Sequence, residues 1–110
     1  MEYKKIKGYE IHPGADLRGL DLGGYNLEGA DLRGADLKNA NLRSACLHGT
    51  DFRGANLEDA SLRRASISGF FTGGANFRGA NLKGVNFENA TGLEESELES
   101  KLQEIITRIK

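Results

Sequence analysis

The chain has 110 residues, room for one domain and too few for two. Lys and Arg number 15 against 16 Asp and Glu, so it carries neither the basic excess of a general nucleic-acid binder nor a strongly acidic field. A single cysteine rules out an internal disulfide framework, and no apolar run approaches the roughly 20 residues of a membrane span.

Residues 1–14 contain Tyr3, Ile6, Tyr9 and Ile11, followed by His12-Pro13-Gly14, a turn signal. We expect an N-terminal strand or irregular cap over this stretch. It lacks the apolar core of a secretory leader, so a reducing cytoplasm is the expected compartment.

From residue 15 to residue 92 the sequence repeats every five residues. Leu17, Leu22, Leu27, Leu32, Leu37, Leu42, Leu47, Phe52, Leu57, Leu62, Ile67, Thr72, Phe77, Leu82 and Phe87 are the centres, and only Thr72 is not Leu, Phe or Ile. Two residues before each centre the sequence favours Ala. One before, it favours Asp or Asn. Two after, it favours Gly. On a helix a period of five rotates each centre by about 140° from the last and leaves no apolar stripe. On a strand, residues two apart share a face, but the next Ala lies three residues on, and three is odd. The chain must therefore turn once in every repeat. Gly, which accepts positive φ, suits that corner. Leu and Ala should face the axis, with Asp, Asn and the charged residues in water.

This A-(D/N)-L-x-x pattern resembles the pentapeptide-repeat family, and the match runs from Ala15 to Ala90. The resemblance implies an all-β solenoid, a right-handed quadrilateral β-helix with four pentapeptides per turn. It further implies about four coils of 20 residues, each centre stacked on the one 20 positions away.

Gly69-Phe70-Phe71-Thr72-Gly73-Gly74 interrupts the pattern, although Phe77 resumes it ten residues after Ile67. Phe70 falls on an inward Ala position and Phe71 on an outward one. We expect one of the two rings to swing inward near Phe52 and fill the space that Thr72 leaves. An exposed aromatic contact for a partner is the alternative.

Sorting residues by a 20-residue coil places Arg43, Arg63, Arg64 and Lys83 on the face of Leu22, Leu42, Leu62 and Leu82. That basic ladder is a candidate interaction surface, together with Phe70 and Phe71. Asp31 with Arg33 and Asp51 with Arg53 share the face of Leu32 and Phe52. The face of Leu17, Leu37, Leu57 and Phe77 mixes charges and includes Arg78. Gyrase-protecting members of the resembled family present an acidic, duplex-like surface. The balanced charge here disfavours such a role.

Cys46 and His48 both point outward, and Glu28 should stack on His48. A thiol, an imidazole and a carboxylate together are the ingredients of an activated nucleophile. A flat β-helix face offers no pocket and no obvious oxyanion donors, and side chains two apart on a strand stand roughly 7 Å apart. We therefore expect no catalytic, cofactor or metal site and no enzymatic activity.

In residues 93–110, Leu98, Leu102, Ile105, Ile106 and Ile109 recur at helical spacing. Ser96 with Glu99 forms a capping-box pattern, and Arg108 and Lys110 close the end in accord with the helix dipole. We expect an amphipathic helix that caps the last coil of a mainly monomeric protein. The alternative is an end-to-end dimer through the same helix. The expected function is that of a non-catalytic scaffold or protein-interaction module whose partner the sequence does not name.

Overall fold

The computed structural model describes residues 3–68 and 73–93. The chain opens with a hairpin: β1 (Lys4–Ile6) pairs antiparallel with β2 (Tyr9–Ile11), Lys5 opposite Glu10. Lys7 and Gly8 join them, both at positive φ (54° and 84°). Two successive left-handed residues are what a two-residue turn needs to match the strand twist. Ile6 and Ile11 drop into the same apolar cluster as the repeat centres, so the hairpin covers the upper end of the coil. The cap is thus two paired strands. The His12-Pro13-Gly14 turn is already a corner of the coil: Ala15 N–H donates to His12 O, and Gly14 N–H donates to Arg33 O.

Beyond it the chain winds as a coil of single-residue parallel bridges. Asp16 pairs with Asp36, Asp21 with Asn41, Asn26 with Cys46 and Asp31 with Asp51. Four such bridges stand at successive pentapeptides before the chain returns to its starting side, which makes the cross-section four-sided. Each bridge is built from two bonds. Leu37 N–H donates to Asn56 O at 2.7 Å, and Asn56 N–H donates to Ala35 O at 2.9 Å. The corner follows at once: the carbonyl of each centre accepts from the N–H three residues on, as Leu37 O does from Ala40.

The Gly position of the repeat is explained by this corner. Gly34 sits there at φ 67°, and Asn39, Ser44, Asp59, Arg64 and Asn89 are forced into the same left-handed region at φ 59–62°. The Asp/Asn position has a second role besides facing water. Asn41 Oδ1 accepts from Arg43 N–H at 3.0 Å and Asn56 Oδ1 accepts from Glu58 N–H at 3.1 Å. Each such side chain captures the first amide of the corner, the Asx-turn geometry that suits short polar residues there.

The interior is filled. Leu22, Leu27, Leu32, Leu37, Leu42, Leu47, Phe52, Leu57, Leu62 and Ile67 are fully buried. Each such side chain contributes roughly 1.5–3 kcal/mol on burial, which explains how a chain without Trp holds together. The Ala column leaves just enough room between layers. Thr50 stands in that column, fully buried, and its hydroxyl donates to Leu27 O at 2.7 Å.

The rungs depart from the expected strict 20-residue period. Up to Cys46–Ser66 the bridges join residues 20 apart; from Asp51–Asn76 onward they join residues 25 apart. At Ile67 the corner carbonyl accepts from Ala75, eight residues on instead of three. The ladder thus passes over five residues between Ile67 and Ala75. Phe77 occupies the place beneath Phe52: the rings stack at 5.2 Å with 5° between planes. Phe70, Phe71 and Thr72, on which the expected inward ring and the alternative partner contact rest, lie outside the described residues. Leu98, Leu102, Ile105, Ile106 and Ile109 also lie outside the described residues. Leu82 and Ala90, in the last layer, are only partly buried.

Candidate functional site

The 25-residue offset redistributes the charged columns. Arg43 and Arg63 do share a face, for Ser44 N–H donates to Arg63 O. The residue beneath Arg63 is Glu88, whose carboxylate meets the Arg63 guanidinium at 3.1 Å. Lys83 is displaced to the neighbouring face, below Glu58, because Asp59 N–H donates to Lys83 O. The expected basic ladder of Arg43, Arg63, Arg64 and Lys83 is therefore broken after two coils. The physical reason is the five residues that the ladder bypasses.

The same shift builds a column that a strict 20-residue period hides. Gly34 N–H donates to Arg53 O and Gly54 N–H to Arg78 O, so Arg33, Arg53 and Arg78 stack on one face. Arg33 and Arg53 are each neutralised by the aspartate two residues before them. Arg33 Nη2 lies 2.7 Å from Asp31 and Arg53 Nη2 lies 2.7 Å from Asp51. Hydrogen bonding by Arg33 holds the Asp31 carboxyl below its ordinary value, and Arg53 does the same to Asp51. Arg18 repeats the arrangement with Asp16, at 2.8 Å, and lowers that carboxyl too. Asp–Arg pairs two residues apart thus recur at Asp16, Asp31 and Asp51.

The repeat also departs from Ala at Leu20 and Tyr25, near the hairpin. Tyr25 is exposed and Leu20 half-buried, with Lys7 Nζ 5.8 Å from the Tyr25 ring centre. An open depression of about 410 Å³ lies beside them, lined by Tyr9, Asp16, Arg18 and Leu20. The readable signal was the bulky residue in a small-residue column.

The remaining cluster is the one the sequence singled out. Glu28 stacks on His48 through Gly29 N–H to His48 O, and Cys46 lies one step along the same face. One donor atom from each of Glu28, Cys46 and His48 lies within 4.8 Å of the other two. His48 Nε2 is 2.6 Å from Ser66 Oγ, which sits directly below Cys46.

The profile described as pentapeptide repeats matches this chain in 8 copies, over residues 14–49, 47–69 and 60–91. The chain belongs to the pentapeptide-repeat family. Pentapeptide-repeat proteins form right-handed quadrilateral β-helices, which is the four-sided coil seen here. Among solved structures it is similar to a pentapeptide repeat protein of the Arabidopsis thaliana thylakoid lumen, with 38% identity and a TM-score of 0.64. That match covers 70% of this chain and 50% of the other, so this chain spans half the length of that relative. A pentapeptide repeat protein from Nostoc is 35% identical, with a TM-score of 0.46 over 73% of this chain and 67% of that one. HetL of Nostoc, a pentapeptide repeat protein involved in heterocyst differentiation regulation, is 28% identical, with a TM-score of 0.35 over 73% of this chain and 37% of its own. A search of curated proteins returned no match. Within the described residues no helix is long and apolar enough to cross a membrane.

Proposed function

We propose that this pentapeptide-repeat protein is a non-catalytic β-solenoid scaffold that presents its faces to a protein partner. The observation that carries this reading is the construction of the coil itself. Its interior is packed with side chains from Leu17 to Phe87, so the ligand-accessible surface is the outside. That outside is a set of flat, rigid ladders held by a backbone bond at every rung, a preformed surface that loses little entropy on docking.

Residues 15–90 carry as many basic as acidic side chains, and the pairs Asp31–Arg33 and Asp51–Arg53 neutralise each other. A duplex-mimicking role would need one continuous acidic face, and this arrangement does not supply one. Arg43, Arg63 and Arg64 on one face, and Tyr9, Leu20 and Tyr25 at the hairpin end, are the surfaces to probe first. We also propose that the stripe Leu98, Leu102, Ile105, Ile106 and Ile109 forms a helix over the last coil and that the chain is mainly a monomer of about four coils. The half-buried Leu82 and Ala90 supply the apolar end layer for it. A reducing cytoplasm fits the single free thiol.

The test is an affinity capture with the wild-type chain beside Arg43→Glu and Tyr25→Ser variants. A protein retained by the wild type and lost with one of the two supports the reading. Turnover of a small molecule by the purified chain contradicts it.

A further inference from the structure

We propose that Glu28, Cys46 and His48 form a surface binding site for a borderline-soft divalent cation of the zinc class. Three different donor types converge there: a thiol, an imidazole and a carboxylate. Their ligand atoms lie within 4.8 Å of one another. Donor atoms gathered that closely suit a shared ion. Zinc binds sulfur at about 2.3 Å and nitrogen at about 2.0–2.1 Å, so two donors on one tetrahedral ion stand roughly 3.5 Å apart. Bringing them onto one ion needs only side-chain rotation. Glu28, the exposed member, has the freedom to supply it.

The backbone beneath is already fixed. Leu27 N–H donates to Cys46 O at 2.8 Å and Gly29 N–H donates to His48 O at 2.9 Å. These bonds clamp Glu28 between the rungs that carry the other two ligands, so binding orders rotors and not chain. Ser66 then acts as an outer partner. Its hydroxyl engages His48 Nε2 and holds the ring, the role that hydroxyls and carboxylates play behind metal-bound imidazoles. It leaves the second ring nitrogen open to an ion. The Glu28 carboxylate pairs with no cation among the described residues, in contrast to Glu58 beside Lys38 and Glu88 beside Arg63.

The donor set selects the ion. Magnesium and calcium take all-oxygen shells, whereas a thiolate with an imidazole favours zinc and its softer neighbours. A thiolate and a carboxylate together carry two negative charges, which a divalent cation cancels. Three protein ligands leave the fourth position to water or to a group on a partner. Sequence spacing argued against this site because it compared Cys46 and His48 with hydrogen-bond reach. An ion spans the gap that a proton cannot.

The test is titration of the reduced, metal-stripped chain with Co²⁺, followed by Zn²⁺ competition. We expect one equivalent of Co²⁺ to give tetrahedral d–d bands and a thiolate charge-transfer band that Zn²⁺ displaces. Cys46→Ser should abolish the charge-transfer band. His48→Ala and Glu28→Gln should each weaken binding about tenfold or more, by loss of one ligand. Zn²⁺ should raise the melting temperature of the wild type, and not that of Cys46→Ser, because it binds only the folded arrangement. Each variant's metal-free melting curve, set beside that of the metal-free wild type, separates lost binding from lost folding. Absence of saturable binding, or a Co²⁺ spectrum unchanged in Cys46→Ser, overturns the proposal.

Discussion

Phe52 and Phe77 stack face to face, 5.2 Å between ring centres, although they stand 25 residues apart in a coil whose upper rungs repeat every 20. Phe77 in turn meets Phe87 edge-on at 6.1 Å. Phe77 falls beneath Phe52 because the ladder bypasses five residues between Ile67 and Ala75. Removing residues 69–73 joins Ser68 to Gly74 and leaves Ser66-Ile67-Ser68-Gly74-Ala75, an unbroken repeat with a Gly at the corner. We predict that this deletion keeps the fold and leaves stability unchanged or higher, since a shorter loop costs less to close. Urea unfolding of both chains checks it. A deletion variant that cannot fold would show that the bypassed residues are part of the ladder.

The corners predict a contrast between two glycines. A Cβ on Gly34, at φ 67°, meets nothing within 4 Å, so Gly34→Ala should cost only the left-handed backbone strain, about 1–2 kcal/mol. A Cβ on Gly92, at φ 76°, lands 2.6 Å from the backbone nitrogen of Ser68 and 2.8 Å from its carbonyl. Gly92→Ala must push the two strands apart and break the Ser68 hydroxyl bond to Gly92 O, so it should cost clearly more. Conversely, Arg64→Gly relieves a strained corner and should stabilise. Denaturant midpoints of the three variants measure the order.

Much of this was legible in the residues. The five-residue period fits neither helix nor strand, and Leu17 through Ile67 are buried as that period demands. Leu37 and Leu57 occupy adjacent rungs, joined by the Asp36–Asn56 bridge. The offset at Phe77 was hidden because the interruption has the length of one whole repeat. Counting by fives stays in register across it, while counting by 20 silently moves Lys83 and Arg78 to the wrong faces. Nothing in local sequence distinguishes a poor coil member from a bypassed one. The pairing of Asn side chains with corner amides was also missed, because outward polar residues look alike whether they solvate or cap. At Glu28, Cys46 and His48 the spacing already places the three side chains on one face, and their donor atoms lie within 4.8 Å of one another.

Asn56 links three coils. Its Oδ1 accepts from Glu58 N–H and from Asn81 Nδ2, and its own Nδ2 donates to Asp36 Oδ1 at 3.4 Å. Asn56→Ala removes these bonds at a half-buried position. We predict a loss of about 1–2 kcal/mol. Asn56→Asp should retain the corner acceptor and so should lose less, apart from repulsion by Asp36. Equilibrium unfolding of the two variants distinguishes capping from mere solvation.

Asp16, Asp31 and Asp51 are each held below the ordinary carboxylate value by an arginine two residues on. A carboxyl whose folded-state pKa is depressed stabilises the fold above its unfolded value, near 4, and that stabilisation fades as pH falls through the lower folded value. The protein should therefore lose stability in acid below about pH 4. Arg33→Gln should flatten part of that loss and slightly lower stability at neutral pH. The pairs are largely solvent-exposed, so the effect is small and shrinks in high salt. Melting curves between pH 2 and 7 at two salt concentrations follow it.

After Cys46–Ser66 the ladder changes its offset from 20 to 25 residues. Methyl and aromatic NOE spectroscopy on the full chain tests it directly, because the two offsets place different side chains on adjacent rungs. The shifted ladder predicts cross-peaks between Phe52 and Phe77, between Leu57 and Leu82 and between Leu62 and Phe87. Cross-peaks joining Leu62 to Leu82 and Leu57 to Phe77 instead would contradict it.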